Sequence, residues 1–314
     1  MNILITGGTG YLGSHLISKL INKNNIFILD KTKNLLKIKN VKKNCRYYPG
    51  LISYKNLKKN FCNKKIDLVI HLAGILKQKT FKKEKYLNDV NATISLLKYL
   101  KKFKIKYFIY ASSCDVYGNT KNIKVSENTK CKPISKYAKN KYFTEKKIRS
   151  HLKDTNTKYL ILRIFNIIGE DLSIAKENIF KKNDLISNII KSYNNNKKFN
   201  LYGYNCNTID GTCVRDYLSI NKFIIIVSML ISKLRIIEST IINIGSSLGL
   251  TNLGIIKKVE NSFNVKILYN RYKKKKYDPT YLVSNNNKLK KILKLKNIFF
   301  KSENILRSYK KYFI

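Results

Sequence analysis

Tyr137 and Lys141 lie four residues apart, a spacing that places both side chains on one face of a helix. A lysine ammonium beside a phenol favours the phenolate, so Lys141 is expected to lower the pKa of Tyr137. A phenol tuned in this way can act as a base near neutral pH. Such a pair also arises by chance in a lysine-rich chain. It gains weight from Ser113, which ends an apolar segment one element earlier and could hydrogen-bond the same substrate oxygen.

A second chemical signal stands near the amino terminus, where Gly7, Gly10 and Gly13 recur every third residue. They follow an apolar run at 3–5 and precede apolar residues with helical spacing at 16–21. A glycine-rich turn that opens a helix exposes backbone N–H groups where a pyrophosphate can bind. In this interpretation Gly7 permits the turn, Gly10 lets the backbone approach the phosphates, and Gly13 packs the helix on the strand.

The next apolar run, at 26–29, ends in Asp30. A carboxylate at this position can hydrogen-bond the adenosine ribose hydroxyls of a dinucleotide. It would also repel the 2′-phosphate of NADP, so the sequence predicts NAD. The order strand, glycines, helix, strand and Asp makes this prediction far more specific than three glycines alone.

The elements that must position these residues alternate between strands and helices. Alternation predicts parallel pairing with right-handed crossovers, and therefore an α/β fold with a doubly wound (Rossmann) sheet. Ligands bind beyond the carboxyl ends of such strands, where Gly7, Asp30, Ala73, Ser113 and Phe165 all fall. The predicted strands are 3–5, 26–29, 45–50, 66–74, 107–111 and 159–164, and the predicted helices are 16–21, 57–61, 86–102 and 134–151.

The alternation weakens beyond residue 166, which indicates a smaller, mixed C-terminal lobe. Helices are predicted at 179–193, 251–263, 288–295 and 302–312, and strands at 199–203 and 241–245. We therefore divide the chain into an NAD-binding domain, 1–165, and a mainly substrate-binding lobe, 166–314. In this division, segments near 205–245 can still belong to the NAD-binding domain.

The composition combines a globular hydrophobic content with an extreme positive charge. The chain has 64 Lys and Arg residues against 18 Asp and Glu residues, a net charge of +46. Such a charge is typical of proteins that bind nucleic acid or an acidic membrane. AT-rich coding produces the same enrichment in Lys, Asn, Ile, Tyr and Phe. Because the basic residues are scattered along the chain, we favour biased coding and predict no nucleic-acid partner.

Membrane, metal and disulfide classes are also disfavoured by the sequence. The longest apolar run, 223–234, is interrupted by Ser228, Ser232 and Lys233, so no membrane span is expected. The first predicted strand begins at residue 3, which leaves no room for a signal peptide. The six cysteines form no C-x-x-C pair and no cluster with histidine. We expect reduced core thiols in a cytoplasmic protein, with no disulfide and no metal site.

Several motifs together resemble the extended short-chain dehydrogenase/reductase superfamily. The run Asp210-Gly-Thr-Cys-Val-Arg-Asp-Tyr217 narrows the resemblance, since it is similar to the signature of UDP-glucose 4-epimerases. The resemblance is collinear over essentially the whole chain and becomes loose after residue 265. The other motifs are Thr6-Gly-Gly-Thr-Gly-Tyr-Leu-Gly-Ser-His15, His71-Leu-Ala-Gly74, Ser112-Ser113, Val116-Tyr-Gly118, Tyr137-x-x-x-Lys141 and Leu162-Arg-x-Phe-Asn166.

The resemblance implies a tightly held NAD, a UDP-sugar substrate, a homodimer and inversion at sugar C4. Hydride would pass to NAD and return to the other face of the rotated keto sugar. Tyr137 would take the 4-hydroxyl proton, Lys141 would hold the nicotinamide ribose, and Ser113 would bond the 4-oxygen. Further cofactor contacts would come from Tyr11, Leu12, Leu72, Ala73, Asn91 and Phe165, and substrate contacts from Asn166, Asp184, Arg215 and Asp278.

Some positions depart from the epimerase pattern. Leu51 stands where the family usually has Asp near the adenine, and Leu76 stands where Lys is frequent. Near the C-terminus, the usual Arg-Pro-Gly-Asp run is replaced by 275–278, or its arginine is displaced to Arg271.

Asp115 is the departure with the largest consequence for function, since epimerases usually carry a small or hydroxyl residue there. Related nucleotide-sugar dehydratases and decarboxylases carry an acid that can protonate a leaving hydroxyl. Asp115 can equally cap a turn. A 4,6-dehydratase or a decarboxylase therefore remains an alternative to the epimerase. A catalytically idle relative that binds NAD or RNA is a third possibility, against which the intact Ser113, Tyr137 and Lys141 argue.

Overall fold

The computed structural model describes residues 1–31, 44–74, 83–120, 123–169, 184–275, 277–296 and 306–312. Two compact units are present. The first contains 1–116, 135–164 and 224–242, and the second contains 117–134, 165–223 and 243–314. Within the described residues, no helix has the length and apolar character that crossing a membrane requires.

The helices and strands of the described residues follow one another along the chain with little irregular structure between them. The strands are β1 (Asn2–Thr6), β2 (Asn25–Asp30), β3 (Cys45–Pro49), β4 (Leu68–His71), β5 (Tyr107–Ser113), β6 (Lys158–Ile164), β7 (Asn166–Ile168), β8 (Phe199–Tyr202), β9 (Val214–Ser219), β10 (Thr240–Ile244), β11 (Gly249–Thr251), β12 (Tyr269–Tyr272) and β13 (Tyr281–Leu282). The α-helices are α1 (Tyr11–Leu20), α2 (Tyr54–Phe61), α3 (Lys83–Lys102), α4 (Lys136–Leu152), α5 (Leu185–Asn194), α6 (Ile220–Ser232), α7 (Asn252–Phe263) and α8 (Asn287–Leu293).

A seven-stranded sheet carries the predicted site residues of the first unit. Its strand order is β10-β6-β5-β4-β1-β2-β3. The pairs β1–β2, β1–β4, β2–β3, β4–β5 and β5–β6 are all parallel. The order reverses direction beside β1, so the doubly wound parallel sheet predicted from the sequence is confirmed.

Apolar side chains cover the sheet. Leu4, Phe27 and Val69 from the strands pack with Phe61 of α2 and Leu100 of α3 in one buried cluster. Strands covered on both faces read as continuous apolar runs, which explains why the sequence located them well. Helix α1 begins directly after Gly10, earlier than the predicted start at residue 16. The prediction started late because Gly13, Ser14 and His15 interrupt the apolar spacing in the first turns of the helix.

The second unit contains shorter strands. Of these, β8 confirms the strand predicted at 199–203, whereas β7, β9, β11, β12 and β13 were not predicted. Strand β9 pairs with β7 and β13 in parallel and with β11 in antiparallel orientation, while β8 pairs with β12 in parallel. Its apolar cluster includes Ile189 and Ile190 of α5 and Ile255, Ile256 and Val259 of α7. The predicted cap of α7 is confirmed, since the Thr251 hydroxyl accepts the Gly254 N–H at 2.9 Å.

The C-terminal helix predicted at 302–312 is described only in part. A 3-10 helix spans Arg307–Tyr312, and residues 301–305 lie outside the described residues. Most of the lysine-rich segment 31–44 also lies outside them.

Candidate active site

The glycine-rich turn between β1 and α1 is built so that no side chain fits at two of its positions. Gly7 has φ +70°, and a Cβ there would lie 2.6 Å from the backbone nitrogen of Ala73. A Cβ on Gly13 would lie 2.5 Å from the carbonyl oxygen of Gly7 and 2.7 Å from Cα of Gly8. Gly13 therefore lets α1 pack closely against the backbone that directly follows β1. Gly8, beside Ile28, makes the close approach to the sheet.

Gly10 plays a different part in the same turn. It is the N-cap of α1, has φ −74°, and makes no side-chain capping hydrogen bond. Among the described residues, a Cβ on Gly10 would have one neighbour within 4 Å, the Gly7 carbonyl oxygen at 3.2 Å. The turn is thus open at Gly10, and Tyr11 and Leu12 begin the helix there. The N-cap position of α1 carries no side chain, so the positive helix terminus suits a pyrophosphate, and the residues present fit a dinucleotide.

Asp30 lies at the end of β2 and anchors this turn. Its Oδ2 accepts hydrogen bonds from the Thr9 N–H at 3.1 Å and from the Thr9 hydroxyl at 2.6 Å. The Tyr47 hydroxyl donates to the Asp30 carbonyl oxygen at 3.1 Å. The predicted ribose ligand therefore also fixes the loop that would hold the phosphates, a second role that the sequence analysis did not identify.

The predicted catalytic residues are brought together in the first unit. Ser135 caps α4 by accepting the Ala138 N–H at 3.0 Å, which sets where the helix begins. The side chain of Tyr137, in the first turn, lies beside Ser113 at the end of β5, close enough for the Ser113 hydroxyl to affect the phenol pKa. Lys141 is 4% exposed, as the neighbouring β5 and the loop after β4 enclose it.

The ammonium of Lys141 has three described neighbours. It donates a hydrogen bond to the Ala111 carbonyl oxygen at 3.0 Å. It lies 4.8 Å from the centroid of the Tyr110 ring, a cation–π distance. A Cβ on Gly74 would come within 3.0 Å of it, so the glycine of the His71-Leu-Ala-Gly74 motif leaves room for the lysine.

The electrostatics of Tyr137 differ from the expectation. Burial raises the pKa of the phenol to about 12, while Lys141 and the Ser113 hydroxyl lower it and Asp115 raises it. Lys141 therefore acts in the expected direction, but burial outweighs it in the protein alone. The prediction that Lys141 brings the phenol pKa below its ordinary value is wrong for this state.

Asp115 lies in a 3-10 helix, Cys114–Tyr117, directly after β5. Its side chain is half-buried, and its backbone N–H donates to the Ser113 hydroxyl oxygen at 3.2 Å. The carboxylate is close enough to Tyr137 to affect the phenol pKa. Asp115 thus belongs to the same site as the predicted catalytic residues.

The remaining predicted cofactor residues differ in position and burial. The backbone N–H groups of Leu72 and Ala73 donate to the Thr6 carbonyl oxygen at 3.1 and 3.0 Å, so the end of β4 lies against the glycine turn. Asn91 is exposed on α3. Phe165 is buried, and its N–H donates to the Ile244 carbonyl oxygen at 3.0 Å.

Two buried polar networks support the site, and the sequence analysis missed both. The His71 ring bridges Thr6 at 2.7 Å and Thr93 at 3.0 Å. Burial and then Lys141 lower the pKa of His71 to about 3. The second network joins Glu145 of α4 to Arg163 of β6 and Ser112 of β5. A charged residue inside the apolar strand at 159–164 was the available signal for it.

In the second unit, two predicted substrate residues are paired with each other. The Arg215 Nη2 lies 2.8 Å from Asp278 Oδ1, and the Arg215 side chain is 12% exposed. Burial opposes the charge of Arg215, but the neighbouring Asp278 outweighs it and the pKa of the guanidinium is raised. The Asn166 amide donates to the Asp216 carbonyl oxygen at 3.1 Å. The structure gives Asp184 a different place, as the N-cap of α5, where it accepts the Ser187 N–H at 2.8 Å.

Asp216, inside the same epimerase-like run, is fully buried and was not singled out by sequence. Its carboxylate accepts hydrogen bonds from the N–H and hydroxyl of Ser246, the N–H of Ser247, and the N–H and hydroxyl of Ser284. Asp216 therefore holds three segments of the second unit together beside Arg215.

The positions that depart from the epimerase pattern are described in part. Leu51 is 67% exposed. Arg271 is also exposed, and Lys275 Nζ lies 4.0 Å from the centroid of the Tyr202 ring. Leu76 lies outside the described residues.

All six cysteines are free thiols. Cys114, Cys206 and Cys213 are buried as expected, whereas Cys62 is exposed, so the prediction of a core thiol is wrong for that residue. The Cys206 and Cys213 sulfurs lie 3.4 Å apart. Within the described residues, no group of His, Cys, Asp and Glu could hold a metal ion.

Comparisons with known proteins agree with this geometry. Residues 3–245 match the family "NAD dependent epimerase/dehydratase family". The chain is 32% identical over 302 residues to a UDP-glucose 4-epimerase of Lactobacillus helveticus, covering 93% of this chain and 91% of that protein. It is also 32% identical over 282 residues to a dTDP-D-glucose 4,6-dehydratase of Dictyostelium discoideum, covering 82% of this chain and 61% of that protein.

Among solved structures, a UDP-glucose 4-epimerase from Bifidobacterium longum in complex with NAD+ and UDP has a TM-score of 0.84 at 25% identity, and the match covers 100% of both chains. This chain is a member of the NAD-dependent epimerase/dehydratase family.

Proposed function

We propose that this chain is a UDP-glucose 4-epimerase, which interconverts UDP-glucose and UDP-galactose by inverting the configuration at sugar C4. The observation that carries the proposal is the placement of Tyr137 and Lys141 one helical turn apart on α4, with Lys141 bound to β5 and Tyr137 beside Ser113 at the end of that strand. This arrangement supplies one proton acceptor and one hydrogen-bond donor for a single hydroxyl. Inversion at C4 requires that chemistry and no leaving group.

In this proposal Tyr137 takes the proton of the sugar 4-hydroxyl and Ser113 holds the same oxygen. Lys141 orients the nicotinamide ribose and favours the phenolate. NAD supplies the hydride chemistry when bound, and the positive charge of its oxidised nicotinamide would act on the phenol pKa in the same direction as Lys141. The protein binds and orients the reacting groups and moves one proton.

The proposed cofactor site uses the turn at Gly7, Gly10 and Gly13 for the pyrophosphate and Asp30 for the adenosine ribose. Tyr11 and Leu12 would offer the first N–H groups of α1. We propose further contacts from Leu72, Ala73 and Phe165, which follow the carboxyl ends of sheet strands, and from Asn91 on α3.

The proposed substrate residues lie in the second unit, which we assign to the UDP-sugar. A guanidinium fork suits a diphosphate, and Arg215 could exchange its Asp278 partner for the phosphates. Asn166 and Asp278 would complete the contacts. The setting of Asp184 as a helix cap supports a structural role more than a contact with the substrate. A homodimer and a cytoplasmic location stay predictions.

A nucleotide-sugar 4,6-dehydratase is the second candidate. The observation that favours it is the half-buried Asp115 beside Tyr137, together with the similarity to the dehydratase of Dictyostelium discoideum. A dehydratase needs an acid for the departing 6-hydroxyl, and Asp115 could serve. An assay of purified protein with UDP-galactose and with dTDP-glucose, scored for the C4 epimer and for a 4-keto-6-deoxy product, separates the two functions.

The Tyr137→Phe variant tests the catalytic assignment. It keeps the ring and removes the proton acceptor, so turnover should fall about a hundredfold or more while bound NAD is retained. Tyr142→Phe, on the same helix, is the matched control and should turn over normally. Near-normal activity in Tyr137→Phe would mean that another group moves the proton.

A further inference from the structure

We infer that Glu145 positions the catalytic residues by fixing helix α4 to strands β5 and β6. The inference rests on the proposed function, since it concerns how Ser113, Tyr137 and Lys141 are held together. In this inference Glu145 contacts neither sugar nor cofactor, so it acts through its neighbours as a positioning residue.

One face of α4 carries polar side chains at three successive turns: Tyr137, Lys141 and Glu145. The first turn carries Tyr137, which lies beside Ser113 of β5. The second is joined to β5 by the bond from Lys141 to the Ala111 carbonyl oxygen, 3.0 Å long. Glu145 continues this row away from the reacting end of the helix.

The carboxylate of Glu145 is held from two strands at once. Arg163 of β6 donates from Nη2 to Oε2 at 2.7 Å and from Nε to Oε1 at 3.1 Å, a two-pronged contact. The Ser112 hydroxyl of β5 donates to Oε1. The Arg163 and Glu145 side chains are 3% and 2% exposed. The pair is therefore screened little by salt and has a fixed geometry.

Stability alone is a weak reason for such a pair. Removing two charges from water costs several kcal/mol per ion, and a packed apolar pair of the same volume is frequently as stable. What the ion pair provides is a defined distance and angle between α4 and the sheet. Ser112 is covalently next to Ser113, so the network fixes the strand residue that must meet Tyr137.

Catalysis is sensitive to that placement. A shift of about 1 Å in a reacting group can cost about a hundredfold in rate. Loss of the contact should also move Lys141, which favours the phenolate of Tyr137. The phenol pKa would then rise, and the acidic limb of the pH–rate profile would move to higher pH.

The test compares Glu145→Gln with Glu238→Gln in the NAD-loaded protein. Glutamine keeps the size of glutamate and removes the charge. Glu238 pairs with Lys158 of the same strand, β6, at 2.7 Å, but its side chain is 82% exposed, so it is a matched ion pair without the burial. We expect Glu145→Gln to lose about tenfold to a hundredfold in kcat with KM little changed, and its acidic limb to move to higher pH. Glu238→Gln should match the unmutated protein in all three measurements.

Arg163→Lys keeps the charge but replaces the fork by a point charge, so it should change kcat in the same direction by a smaller factor. Ser112→Ala removes only a hydroxyl and serves if Glu145→Gln does not fold. Its kcat should fall several-fold, with the same shift of the acidic limb. A lower unfolding midpoint with normal kcat and a normal pH profile, in whichever variant folds, would overturn the inference.

A substrate-free measurement separates this inference from the proposed function. In protein labelled with [13Cζ]tyrosine, the Tyr137 signal is identified by its loss in Tyr137→Phe. The inference expects this phenol to titrate at higher pH in Glu145→Gln than in the unmutated protein and in Glu238→Gln. If the phenol shifts but no UDP-sugar is turned over, the proposed function fails and the inference holds. If UDP-galactose is turned over and the phenol titration is unchanged, the inference fails alone.

Discussion

Asp115 is the single side chain that most separates the two candidate reactions. Its carboxylate raises the pKa of Tyr137, so Asp115→Asn should lower that pKa. Because the phenolate is the active form, the acidic limb of the epimerisation profile should move to lower pH while the maximal rate stays largely intact. The measurement is the pH dependence of UDP-galactose conversion, with Asp154→Asn, an exposed residue just beyond α4, as the control.

The opposite result would come from a dehydratase. Asparagine keeps the size and the capping oxygen of aspartate, so the fold should tolerate the change. A collapse of activity in Asp115→Asn, together with a 4-keto-6-deoxy product from the unmutated protein, would contradict the epimerase proposal.

His71 makes a prediction about stability at the same scale. Its pKa is lowered to about 3 in the folded protein, because burial and Lys141 disfavour the imidazolium. The unfolded chain therefore takes up this proton first as the pH falls through about 6.5, and stability is lost progressively below that pH. Above about pH 6.5 the unfolding free energy does not depend on this group. Between the two pKa values, each unit of falling pH lowers the unfolding free energy by about 1.4 kcal/mol.

Urea unfolding at pH values between about 7 and 5 measures this slope. His71→Asn removes the titrating group and should flatten the slope, whatever it does to the absolute stability. His151→Asn is the control, since His151 is exposed at the end of α4. Equal slopes in the unmutated protein and His71→Asn would contradict the assignment of a buried neutral histidine.

The turn between β1 and α1 makes a prediction at the scale of an element. Gly13→Ala places a Cβ within 2.5 to 2.8 Å of backbone atoms of Gly7 and Gly8, which cannot move without breaking the turn. We expect a loss of about 1–3 kcal/mol in unfolding free energy and weaker NAD binding. Gly10→Ala has a permitted φ and one contact, at 3.2 Å, so it should keep most of its stability.

NAD binding separates the two variants further. If the phosphates approach the backbone at Gly10, a methyl group there should weaken NAD binding even though the fold is kept. Thermal unfolding with and without NAD measures both effects. Unchanged NAD affinity in a stable Gly10→Ala protein would contradict the placement of the pyrophosphate.

At this scale the sequence predicted the elements whose side chains all face apolar surroundings. The strands around Ile5, Ile28 and Ile70 read as continuous apolar runs because both faces of the sheet are covered. Strand β9 was missed because it carries Arg215 and Asp216, whose burial depends on partners far away in sequence. No local pattern contains those partners, so neither the strand nor its hydrogen bonds could be derived from spacing.

In the candidate site, too, the sequence predicted the features that depend on local spacing. Tyr137 and Lys141 were found because a helix fixes their spacing, and Ser113 because strand ends share one edge of a sheet. The pKa of Tyr137 could not be predicted, since burial is a property of the folded chain. Here burial raises that pKa more than Lys141 lowers it. Asp184 was assigned to the substrate, and the structure shows a helix cap, a role that any Asp before a helix can take.

The whole molecule is dominated by its charge. With 64 basic and 18 acidic residues, the net charge of +46 gives the folded chain a large self-repulsion. Two of the described ion pairs differ in their response to salt, because Lys158–Glu238 is exposed and Arg163–Glu145 is buried. An exposed ion pair contributes little to stability, so weakening it by salt costs little. Salt also reduces the repulsion between like charges over the entire surface, which stabilises the folded chain.

We therefore expect the unfolding midpoint to rise by several degrees when the ionic strength increases from about 0.01 M to about 0.15 M, where the Debye length falls from about 30 to about 8 Å. Differential scanning fluorimetry in sodium chloride measures the change, with sorbitol at equal osmolality as the control. A potassium phosphate series at matched ionic strength distinguishes general screening from binding of anions to particular lysines. Screening predicts overlapping curves, whereas a larger rise in phosphate would mean that the basic surface holds specific anion sites. A midpoint that falls with salt would show that attractive pairs outweigh the excess of positive charge, and it would contradict the prediction.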